Sequence, residues 1–79
     1  MKVFVLEETF IGYARELDYT RVDSVYSTMR GAKSKIQELV DELIVENDGE
    51  VSESSDNYVI VDLPYGIVEF AINEQEVLA

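Results

Sequence analysis

Carboxylates are the most numerous chemically active side chains in this sequence. Seventeen Asp and Glu stand against six Lys and Arg, for a formal net charge of −11, and there is no His and no Cys. Carboxylates can serve as acid and base when their surroundings push a pair of pKa values apart. Two adjacent pairs are on offer, Glu7/Glu8 and Asp41/Glu42. Both read as solvated neighbours, and adjacency is expected by chance among so many acids. Without His there is no ordinary general base near neutral pH, and without Cys the strongest side-chain nucleophile is missing. No G-x-S-x-G, Walker-A loop or dinucleotide fingerprint occurs. The expectation is a protein that is not an enzyme, with no catalytic, cofactor-binding or metal-ligating residues.

A calcium loop fails on its own terms. The acidic stretch Asn47–Asn57 reads NDGEVSESSDN. Setting Gly49 at the sixth position of an EF-hand loop puts Ile44 first and Ser55 twelfth, where Asp and a bidentate Glu are required. No zinc site of the usual kind can form without Cys or His.

The placement of the acids says more than their number. Residues 36–79 hold twelve of them and no Lys or Arg, whereas residues 1–35 hold all six basic side chains and five acids. The second half cannot neutralise phosphates, so neither nucleic acid nor an anionic membrane is an expected direct partner. It would draw in a basic protein surface instead. The candidate partner-binding residues are Glu38, Asp41, Glu42, Glu46, Asp48, Glu50, Glu53 and Asp56.

Four of those sit on the stretch that must position them, a helix over Ser27–Glu46. Met29, Ala32, Ile36, Leu39, Val40, Leu43 and Ile44 recur at the spacing of one buried helical stripe. Ser27 or Thr28 can cap its start, and Asn47 or Gly49 can supply a left-handed residue at its end. Its charges run against the helix dipole, with Arg30, Lys33 and Lys35 early and Glu38, Asp41, Glu42 and Glu46 late. Glu38/Glu42 and Glu42/Glu46 are also like-charged i, i+4 neighbours, which repel mildly. The other four candidates lie in the loop that follows.

Strands are expected on both sides of the helix. Lys2–Leu6 is a nearly unbroken apolar run, continuing through Thr9–Ile11 towards Gly12, and reads as a strand buried on both faces. Tyr19–Tyr26 reads as the returning strand, with Thr20, Val22 and Ser24 on one face and Arg21, Asp23 and Val25 on the other. Tyr58–Leu63 and Ile67–Ile72 flank Leu63-Pro64-Tyr65-Gly66, a turn in which Gly66 takes a positive φ. Asn73–Ala79 reads as a frayed strand end or a tail. The fold class is α+β: a single domain over residues 1–79, ββαββ, with a four-stranded antiparallel sheet and the helix across one face. Expected core residues are Val3, Val5, Val22, Val25, Ile36, Leu39, Val40, Leu43, Val59, Val61, Val68 and Phe70. No apolar run approaches the ~18 residues of a membrane span and no leader opens the chain, so the expected location is the cytoplasm.

The residues Lys2-Val3-Phe4-Val5-Leu6, Val25-Tyr26-Ser27-Thr28 and Ala32 resemble small phage and mobile-element proteins. Those open with a KVYVV-like strand, return through a GVFST-like strand end and carry an alanine early in the helix. The likeness covers mainly the first half, and Asp23-Ser24 before Val25 departs from it. It implies a genomic setting and carries over no functional residue. In that setting, small acidic proteins similar to antirestriction DNA mimics and some anti-CRISPR proteins block host nucleic-acid enzymes. The expected function is therefore a small acidic inhibitor presenting carboxylates to a basic nucleic-acid-binding surface of a host enzyme. The alternative is a structural or regulatory module that forms a homodimer through a sheet edge or its uncovered face.

Overall fold

The apolar runs near the two ends of the chain pair with each other. In the computed structural model, which describes residues 1–13 and 18–77, the elements run β1 (Lys2–Gly12), β2 (Tyr19–Tyr26), α1 (Met29–Asn47), β3 (Glu50–Ser54), β4 (Tyr58–Leu63) and β5 (Gly66–Glu76). They build one antiparallel sheet in the order β2-β1-β5-β4-β3. β1 and β5 pair along their whole length, from Lys2 opposite Glu76 to Gly12 opposite Gly66. Because β1 lies between β2 and β5, Val5 and Leu6 are buried although they point to opposite faces. A continuous apolar run is what such an interior strand needs.

The α+β class with one helix is observed, and the sheet has five strands rather than four. Glu50–Ser54, expected as loop, is the fifth, pairing with β4 from Glu50 opposite Asp62 to Ser54 opposite Val59. Every residue of β3 is exposed, because it is an edge strand beyond the reach of the helix. No alternation of apolar and polar residues is imposed on a strand that buries nothing, and its sequence carried none. A register shift between Val51 and Glu53 bulges it further. At the other end, β5 runs on to Glu76, so Asn73–Glu76 is strand rather than tail. Val77 N–H donates to Met1 O at 2.7 Å. The tip of the first connection and Leu78 lie outside the described residues.

α1 covers one face. Ala32, Ile36 and Val40 press onto Leu6, Val61, Leu63, Val68, Phe70 and Ile72, with Leu39, Leu43 and Val59 packed against that cluster. Fully burying an aliphatic or Phe side chain contributes about 1.5–3 kcal/mol, which is what holds the layers together. Ile44 falls at the margin of the stripe and is exposed. Four expected core residues, Val3, Val5, Val22 and Val25, lie outside the cluster under the helix, and Val22 and Val25 are 58% and 56% exposed. They lie on the far face of the sheet, where no second helix covers them.

The expected alternation along β2 is also corrected. The register shifts between Leu6/Glu7, so that Leu6 faces Ser24 while Glu7 faces Val22. This bulge returns Val25 to the same face as Val22 and Thr20, and turns Ser24 and Tyr26 towards the helix side with Leu6 and Phe4. The broken alternation near Ser24 in the sequence is the trace of that extra residue.

Local chemistry sets the ends of α1. Thr28 is extended and its Oγ1 accepts from Gly31 N–H at 3.0 Å, the expected cap. At the other end the left-handed residue is Asp48, φ 56°, rather than Asn47 or Gly49. Asp is one of the few side chains that tolerates this region. Gly49 serves a different need: a Cβ there would lie 2.9 Å from Val61 Cγ1 and 3.1 Å from Leu43 O. Gly66 is similar. It has no positive φ, contrary to expectation, but a Cβ would meet Ile11 O at 2.6 Å. Close backbone approach, with Pro64 and Tyr65 making the two-residue turn, is what requires glycine at that point.

Candidate functional site: two acidic surfaces and a buried carboxylate

Strand alternation separates the acids of this chain into two populations. On α1, Glu38, Asp41, Glu42 and Glu46 are all exposed, Glu38 and Asp41 on the side away from Ala32, Ile36 and Val40 and Glu42 and Glu46 on the flank beside Leu39. The helix has no acidic residue in its first turn and no basic residue in its last, so its dipole is opposed as the sequence indicated. Lys35 Nζ stands 3.7 Å from Glu38 Oε1, and Gln37 Nε2 donates to Asp41 Oδ1 at 2.8 Å. Among the described residues, Asp41, Glu42 and Glu46 form no ion pair.

The second population lies on the opposite side of the molecule. Glu50 and Glu53 pair with Asp62 and Ile60, residues that point away from the helix. Register places Glu7 opposite Ala71, and Glu69 opposite both Thr9 and Ile60, on that same face. The eight candidate residues therefore do not form one surface. Glu38, Asp41, Glu42 and Glu46 share the helix, while Glu50 and Glu53 belong to the bare sheet face. Asp48 is exposed at the helix end, and Asp56 is exposed in the turn after β3.

Carboxylates crowd the strands of the bare face. Glu50 and Asp62 are direct cross-strand partners, an arrangement that costs stability. Tyr58 has its phenol pKa raised, by desolvation first, then by the charge of Glu53 and a hydrogen bond to it, and by the charge of Glu69.

A third feature was not foreseen. Glu7 and Glu8 point to opposite faces, and Glu8 is 9% exposed on the helix side. Its Oε2 accepts from Tyr19 Oη at 2.9 Å and from Arg21 Nε and Nη2, both at 2.8 Å. The Arg21 guanidinium also lies 5.3 Å from the centre of the Tyr19 ring, which stacks on Phe10 at 5.7 Å. Burial and then the Glu8 hydrogen bond raise the Tyr19 phenol above its ordinary value. Part of the signal lies in the sequence: Tyr19 and Arg21 are two apart and share a strand face, and pairing of Thr9 with Thr20 in the hairpin puts Glu8 opposite Arg21. Glu8 also borders a cleft of about 170 Å³ beneath the helix, with Leu39, Glu42, Leu43, Asn47 and Phe70. This arrangement neutralises a buried carboxylate and ties β1 to β2. It offers no activated nucleophile.

Among the described residues, no three acidic side chains converge closely enough to hold a metal ion. No described helix is long and apolar enough to cross a membrane. In comparison with known proteins, no family model, no curated protein and no solved structure matches the chain.

Proposed function

We propose that this chain is a non-catalytic acidic binding protein that engages a basic surface of a nucleic-acid enzyme and blocks it, in the manner of antirestriction or anti-CRISPR inhibitors encoded by phages. One observation carries the reading. The second half of α1 presents Glu38, Asp41, Glu42 and Glu46 to solvent, against the helix dipole and with mutual i, i+4 repulsion. Residues four apart on a helix rise about 6 Å, so Glu38, Glu42 and Glu46 form an evenly spaced row of negative charge. Such a row occupies a groove shaped for a phosphate backbone, and its charge speeds encounter with that groove.

The dimer reading is weaker on two counts. Both edge strands, β2 and β3, carry bulges, which blunt edge-to-edge pairing. A second copy stacked over the whole bare face would also bring Glu7, Glu69, Asp62, Glu50 and Glu53 near the same acids.

The test is capture of partners from a bacterial host lysate by the wild type and by the E38K/E42K/E46K variant. Duplex DNA is added as competitor, and gel filtration follows the chain alone. A partner released by DNA and lost by the folded variant is the expected result. A partner retained by the variant and indifferent to DNA rules the helix row out.

A further inference from the structure

We propose that the bare face of the sheet is a docking surface for a cationic amphipathic helix of a partner protein, separate from the carboxylate row on α1. The face has an aliphatic half and an acidic half in which Ile60, Ile67 and Ala71 are interspersed. Val3 and Val5 of β1 adjoin Val22 and Val25 of β2, and the two β2 side chains are more than half exposed. Towards the other edge, Glu69, Asp62, Glu50 and Glu53 follow across β5, β4 and β3, with Glu7 between the halves. Among the described residues, no Lys or Arg lies on this face. Lys2 and Arg21 point to the helix side, where they meet Glu74 and Glu8, and Arg30, Lys33 and Lys35 are on α1 itself.

Charge selects the sign of the occupant and works against a second copy, whose carboxylates would meet these wherever the acidic halves overlap. Backbone chemistry selects its form. β1, β5 and β4 are hydrogen-bonded on both sides, so this face offers side chains alone and no free backbone donor or acceptor. An occupant must satisfy its own backbone, and a helix does so within itself. Its apolar stripe would cover the valines. Lys or Arg at its margins would reach the acids, their stems adding apolar contact while the charged ends meet carboxylates. The result is a helix layer on each side of one sheet, a common way of burying both faces.

The inference rests on the proposed function only in taking basic proteins as partners, and a single titration separates the two. The probe is a synthetic amphipathic helical peptide of Leu and Lys, added to the ¹⁵N-labelled full chain, with a Leu/Glu peptide as control. Saturable amide shifts are expected at Val3, Val5, Glu7, Val22, Val25 and Glu69. Affinity should weaken about tenfold in E7K/E69K, a variant whose fold is checked by the dispersion of the same spectrum, and hold in E38K/E42K/E46K. Shifts confined to residues 38–46, lost in E38K/E42K/E46K, overturn the docking face while leaving the helix reading intact. Equal binding of the Leu/Glu peptide overturns it too, since charge would then play no part. Absence of saturable shifts overturns it, as does concentration-dependent self-association mapped to this face.

Discussion

Glu8 and Arg21 are unequal partners, and the inequality decides what their loss costs. The Arg21 side chain is 61% exposed and keeps its water when Glu8 is removed, whereas the Glu8 side chain is 12% exposed and keeps little when Arg21 is removed. Arg21→Met should therefore destabilise by about 1–3 kcal/mol and Glu8→Gln by less, measured by urea denaturation. Equal losses would mean that the carboxylate is better hydrated than its burial indicates. Tyr19 provides a second check. Its phenol is raised above the ordinary value of 10.0 by burial and by Glu8. A tyrosine whose folded pKa exceeds its unfolded one supports the fold fully below the unfolded value and loses that support as pH rises through the folded one. Spectrophotometric titration should show late-ionising tyrosine, part of it removed by Tyr19→Phe, with stability falling above pH 10. Glu8 was readable only in part from sequence. Adjacency to Glu7 made it look solvated, while the alternation of a strand puts such neighbours on opposite faces.

For the elements, local signals served where an element buries a face and failed where it does not. The helix announced itself because Ala32, Ile36 and Val40 must meet the sheet, and Thr28 gave its start. β3 buries nothing, so it left no period to read, and only pairing with β4 reveals it. The uncovered face misled in the same way: Val22 and Val25 look like core residues, but apolar character does not say which face receives the helix. Two changes test the elements. Thr28→Ala should cost about 1 kcal/mol by freeing Gly31 N–H. Gly66→Ala should cost more, because the added Cβ would clash with the backbone of Ile11, which no rotamer can relieve. A Gly66→Ala variant of wild-type stability in thermal melts would show that β1 and β5 separate easily at that end.

Across the whole molecule the formal net charge is −11, and the described residues have principal extents of 43 × 23 × 18 Å. Compactness raises the repulsion among exposed like charges, and salt screens it over roughly 8–10 Å. The melting temperature should rise between low and physiological sodium chloride, and a fall would mean that the acids are mostly well paired. Charge asymmetry between the halves was plain in the sequence. Its division onto two opposite surfaces was not, since that follows from strand register and from which side the helix takes.

The proposed function turns on the helix carboxylates, and the salt dependence of association tests it most directly. Once a partner is captured, its association rate is measured by stopped flow across a salt series, for the wild type and for E38K/E42K/E46K. Electrostatic steering predicts a wild-type rate that falls steeply with salt, and a variant whose rate is slow at low salt and nearly flat. Identical salt slopes for the two proteins would contradict it.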